Sequence, residues 1–161
     1  MACRSLSVNH EAPKSALPAV EVRVAKIGEG GVAAIAAQAL RAQQARMRII
    51  AENLANANST GAKAGADPYR RQVPVFQPLK LEDGSVSVRM ARVAADPSAF
   101  KQEYDPGHPA ANPAGYVRRP NVDSLIEALD MKQAQRAYEA NLNVLENQDA
   151  IEKRTLDLLK R

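Results

Sequence analysis

The chain has 161 residues, an alanine-rich apolar fraction of 45%, no Trp, only two Phe and four Tyr, and a net charge of +4. That length suits one domain, and so little aromatic bulk favours helix packed on helix over a thick globular core. The positive excess is scattered, with Arg70-Arg71 and Arg118-Arg119 as short clusters, so no nucleic-acid binding is expected, and no run nears the ~18 apolar residues that would predict membrane insertion.

From Met1 to Gly31 the sequence is irregular. Pro13 and Pro18 break any helix, and Gly28, Gly30 and Gly31 read as a flexible joint. Residues 1–31 are read as an N-terminal tail whose Glu21-Val22-Arg23-Val24 alternates weakly like a strand. Charge and proline interrupt every apolar stretch between Ser5 and Lys26, which does not fit a cleavable secretory signal. The single cysteine, Cys3, excludes an intramolecular disulfide.

Residues 32–58 change character. Leu40, Met47 and Leu54 recur every seven residues, and Ala36, Gln43, Ile50 and Ala57 form a second register of the same period. That spacing, without Pro or Gly, predicts a helix with an a/d seam. Arg41, Arg46, Arg48 and Glu52 fall on its wet face, and Asn58-Ser59-Thr60-Gly61 offers turn-forming residues to end it.

Residues 59–121 hold eight of the ten prolines. Arg71 to Leu81 and Ser85 to Val93 read as strands of a hairpin turning at Asp83-Gly84, with Val86, Val88 and Met90 on one face. Phe100 to Tyr104 and Tyr116 to Arg118 read as further short strands, and Pro106-Gly107-His108-Pro109 as a turn. Residues 122–161 then read as one long helix, capped by Asn121 or Asp123. Its seam runs through Val122, Ile126, Leu129, Gln133, Ala137, Ala140, Val144, Gln148, Ile151 and Leu158. The fold expected is mainly α with a small β-rich insertion, its long N- and C-terminal helices pairing as an antiparallel coiled coil. Small and polar seam members such as Gln43, Gln133 and Gln148 thin that contact, which argues for neighbours that complete it.

Little here suggests catalysis. With His10, His108 and Cys3 alone, no metal or cofactor site is expected. An Asp105–His108 pair with Ser98 or Ser124 would be a chance triple, since no nucleophile-elbow motif supports it. Gly28, Gly30 and Gly31 lack the spacing and Lys-Ser/Thr of a phosphate loop. The polar residues that need explaining are Asn53, Asn56 and Asn58 near the end of the first helix, and Tyr138, Glu139 and Asn141 on the second. Asn is a poor helix former. Either these residues end the helix, or Asn53 and Asn141 are buried at helix contacts and fix register by amide hydrogen bonds, as a polar seam residue does.

The same residues resemble the flagellar axial protein family of rod, hook and hook-associated subunits, whose first helix closes on an Asn-Leu-Ala-Asn signature. Here it reads Asn53-Leu54-Ala55-Asn56-Ala57-Asn58-Ser59-Thr60. Asp67-Pro68-Tyr69-Arg70-Arg71, Tyr104-Asp105-Pro106-Gly107-His108-Pro109, Gly115-Tyr116-Val117 and Arg136-Ala137-Tyr138-Glu139-Ala140-Asn141 narrow the likeness to its proximal rod subunits. The resemblance implies a structural subunit, not an enzyme, that self-associates in a helical tube beside other rod subunits and the rod-base adaptor protein. It also implies delivery by the flagellar type III export apparatus. Subunit packing is expected at Leu40, Gln43, Met47, Ile50, Asn53, Leu54, Asn56, Leu129, Tyr138, Asn141, Val144 and Ile151. A coiled-coil adaptor or chaperone unrelated to flagella would keep the helices but leaves the ordered Pro/Gly/Tyr motifs unexplained.

Overall fold

The computed structural model describes residues 31–160. The expected tail, with Cys3 and His10, lies outside the described residues except for Gly31, which opens the first helix. Helix α1 spans Gly31–Ala55, an alanine-rich stretch free of Pro and of interior Gly. It stops short of the expected Asn58 because the Asn56 side-chain amide donates to the Glu52 carbonyl at 2.8 Å, capping the last turn locally. Helix α2 spans Ser124–Leu159, two residues later than the pattern suggested. Its start is fixed by Asp123, whose carboxylate accepts from the Leu125 and Ile126 amides.

Between the helices lie two antiparallel hairpins. Strand β1 (Gln72–Lys80) pairs with β2 (Val86–Ala95), with a bulge opposite Val75 and Phe76 that leaves Ala91 unpaired. The expected turn is present, with Gly84 at a φ of 85° that other residues rarely adopt. Strands β3 (Lys101–Tyr104) and β4 (Tyr116–Arg119) form the second hairpin. There Tyr104 and Tyr116 meet edge to face, 5.2 Å apart.

Helix α1 is the central element, packing on α2 and on both strands of the first hairpin, while α2 does not pack on those strands. Asn53 meets Glu127 and Gln44 meets Tyr138, so the two helices run in opposite directions. The hairpin lies along α1 for its whole length. Its base bonds Asn53 through Gln72, Ser87 donates to the Ile35 carbonyl, and Asp83 sits beside Gly31. The buried residues of α1 are Ala36, Ala42, Ile49, Ile50 and Asn53, which include Ala36 and Ile50 of the predicted second register.

On α2 the inward face is rotated from the predicted seam. Glu127, Met131, Ala134, Tyr138, Asn141 and Leu145 recur at alternating steps of four and three, and all are buried or half-buried. Ile126, Leu129, Val144, Ile151 and Leu158 stand exposed beside that face. The physical reason is that Glu127 reaches paired donors in the interior, and Ala134, fully buried, lets the helices approach closely. Neither a buried Glu nor a single close-contact Ala stands out in a seam anchored on Ile126, Leu129, Val144 and Ile151.

Candidate functional site: the polar junction at the helix ends

Where α1 ends, α2 begins and the first hairpin starts, polar side chains replace an apolar core. Asn53 is 1% exposed, and its amide is fully used. Its nitrogen donates to the Gln72 carbonyl at 2.8 Å and to a Glu127 carboxylate oxygen at 3.1 Å. Its oxygen accepts from the Tyr69 hydroxyl and from the Gln72 amide, both at 2.9 Å. An Asn side chain offers two donors and a carbonyl oxygen with two lone pairs, so no valence is left. Full satisfaction is what allows this residue to be buried one turn from a helix end.

Glu127 has no exposed surface, and its second oxygen accepts from Arg71 Nε at 2.7 Å. Arg71 is itself shared. Its guanidinium also reaches Asp96 at 3.4 Å and Asp130 at 3.8 Å, and its backbone amide donates to Asn121 Oδ1 at 2.8 Å. Burial opposes the charge on Arg71, but its bonds to Glu127 and then to Asp96 outweigh that and raise its pKa further. The Tyr69 phenol is likewise raised, first by burial and then by the nearby carboxylates of Glu52 and Glu127. Asp96 is held below the usual carboxylate range, chiefly by the Ser98 amide and hydroxyl and then by Arg71.

The other side chains of the Asp67-Pro68-Tyr69-Arg70-Arg71 motif are engaged too. Asp67 pairs with Arg118 across the insertion, and Pro68 is buried. Arg70 lies 4.1 Å over the Phe100 ring and donates to the carbonyls of Asp96 and Ser98. Asn121 completes the clamp on Ser98, so both ends of the first hairpin are tied to the start of α2. A cleft of about 170 Å³ lies over this junction, between β1 and α2, with Arg46, Ile50, Phe76 and Asp130 on its walls. A larger open groove of about 520 Å³, lined by Lys101, Glu103, Arg119 and Asp123 among others, lies beside the second hairpin.

The other expected packing residues fall into three groups. Ile50 is buried, and Leu40, Gln43 and Met47 are half-buried on α1, where the Gln43 side-chain oxygen is buried without a partner. Tyr138 lies on the inward face of α2, bonded to Gln44, while the half-buried Asn141 donates to the Ala137 carbonyl of its own helix. Asn56 is half-buried and acts at the helix end, whereas Leu54, Leu129, Val144 and Ile151 are 41%, 59%, 42% and 58% exposed. Sequence reasoning singled out Asn53 but missed its partner Glu127, and with it the Arg71–Asp96 pair that Glu127 joins. A lone Glu in a first helical turn looks like a favourable dipole charge, and only the half-buried Arg71 opposite reveals the other role.

His108 lines neither cleft, and its Nδ1 accepts from the Ala110 amide at 3.0 Å, the bond of a turn residue. Among the described residues no cluster of His, Cys, Asp and Glu has the makings of a metal site. No described helix is long and apolar enough to cross a membrane.

Two family models match the chain. Residues 34–63 match the family described as flagella basal body rod protein, and residues 114–158 match the C-terminal family of flagellar basal body rod FlgEFG proteins. Similar over most of its length is the flagellar basal-body rod protein FlgC of Agrobacterium fabrum, 46% identical over 127 residues that cover 78% of this chain and 91% of the relative. FlgC of Aquifex aeolicus is 40% identical, covering 78% and 93%. FlgC of Bacillus subtilis is 35% identical, covering 69% and 85%.

Proposed function

The chain belongs to the flagellar basal-body rod protein FlgC family, and on that premise we propose that it builds the proximal part of the rod by helical assembly with other rod subunits. It is a structural subunit of the flagellar basal body. In the proposed arrangement α1 and α2 act as an antiparallel coiled coil that lines the export channel wall, and the rod they form transmits torque. The rod-base adaptor and neighbouring rod subunits are its partners, and the flagellar type III apparatus delivers it to the periplasm-spanning rod.

The observation that carries this reading is the exposed aliphatic flank of α2. Leu129, Val144 and Ile151 stand beside the inward face rather than in it. A monomer that had finished burying its apolar surface would leave fewer such side chains in one row. A heterologous contact that does not close on itself produces helical tubes, and an uncovered flank beside a paired face suits that geometry. The adaptor reading would keep the helices but gives no role to the insertion tied so firmly to their junction.

Deletion of the gene followed by electron microscopy of purified basal bodies tests the proposal. Basal bodies stalled before the distal rod, rescued by the full chain but not by the Leu129→Ser/Val144→Ser/Ile151→Ser variant, are the expected result. Complete motile flagella in the deletion strain, in a genome without a second copy, would overturn it.

A further inference from the structure

The receiving site for the base of the first hairpin is built from two helices at once. Gln72 and Tyr69 bond Asn53, which belongs to α1. Arg71 bonds Glu127 and approaches Asp130, which belong to α2. Glu127 and Asn53 also bond each other, so the two halves of the site are in contact only at one relative position of the helices. Slipping α2 by one residue would turn Glu127 by about 100° and carry it away from both Asn53 and Arg71.

We infer that this junction checks helix register, so that the first hairpin docks only on a correctly paired α1 and α2. The dependence runs one way. The helices touch along a face that does not involve the strands, whereas the hairpin base has no complete set of polar partners until both helices are in place. Docked on an out-of-register pair, Arg71 would keep Asp96 but lose its short bond to Glu127, and Asn53 would leave donors and acceptors unmade. Such a state is disfavoured by the same groups that hold the native one. Glu127 and Asn53 are therefore positioning residues for the hairpin, a role that holds whether or not the flank of α2 packs in a rod.

Hydrogen exchange read by mass spectrometry on the full chain, in trimethylamine N-oxide to favour the compact state, separates the two directions. Glu127→Gln keeps the shape and removes the charge opposite Arg71. It should speed exchange across residues 73–95 by about tenfold or more while residues 131–145 change much less. Ala134→Gly weakens the helix pair about two turns along α2 from Glu127 and should speed exchange in both segments together. Equal loss in both segments for Glu127→Gln, or a hairpin that stays protected in Ala134→Gly, would overturn the inference.

Discussion

The two ends of the helix pair are held in opposite ways. At one end Asn53, Glu127 and Arg71 close a polar junction in which each named buried group has a partner. Toward the other, α2 runs past the point facing Gly31, and Ile151, Leu156, Leu158 and Leu159 are exposed. The contrast separates two jobs that apolar packing alone would blur. Directional hydrogen bonds fix a position, because they fail with a small displacement. Uncovered aliphatic side chains fix little by themselves and gain free energy from whatever apolar surface covers them.

Substitutions at the closed end should have the largest effects. Glu127→Ala leaves Arg71 and the Asn53 amide without their buried acceptor and should cost about 3–5 kcal/mol, read as a lower urea midpoint. Asn53→Asp places a second carboxylate against Glu127 and should cost about 2–4 kcal/mol near neutral pH. Its folded-state pKa would be raised, so this variant, unlike the parent, should regain stability as pH falls through that value. Between the ends, Ala134→Leu would overpack the fully buried close approach of the helices, costing about 1–3 kcal/mol in the same measurement.

Acid offers a milder probe of the junction. The Asp96 pKa is lowered in the folded state. Its stabilisation is thus fully present above the unfolded value of about 4 and is lost as pH falls through the lower folded value. Asp96→Asn should flatten the decline in urea midpoint over that window. A decline of unchanged slope would place the acid sensitivity elsewhere. The smallest change in monomer stability, within about 0.5 kcal/mol, is expected for Leu129→Ser or Ile151→Ser at the open flank. If these exposed residues proved as costly as Ala134, the distinction between the two surfaces would fail.

The sequence made some of this readable and hid the rest for definable reasons. Both long helices followed from period and from the absence of helix breakers, and the Asp83-Gly84 turn followed from its chemistry. Asn53 stood out because Asn disfavours helix interiors. The inward face of α2 did not stand out, since its deciding members are Glu127, Ala134, Tyr138 and Asn141 rather than aliphatics. Burial of Glu127 depends on Arg71, which is distant in sequence and lies in a segment without helical period. A local pattern cannot report a compensation made across the fold. The two family models divide the chain along the same line: Asn53 falls in one, Glu127 in the other, and Arg71 in neither.

The hairpin that lies along α1 also sets how this chain can gain or lose residues. A strand alternates its faces every residue and advances about 3.4 Å each time, so the hairpin tip can be lengthened in matched pairs without turning Ser87 away from the helix. A helix turns 100° per residue and restores a face only after about seven. The part of α1 between Gly31 and Asn53 is therefore bound to coarse steps, while the strands beside it can change in fine ones. Length variation should accumulate at the Asp83-Gly84 tip and be rare between the junction and the hairpin it holds.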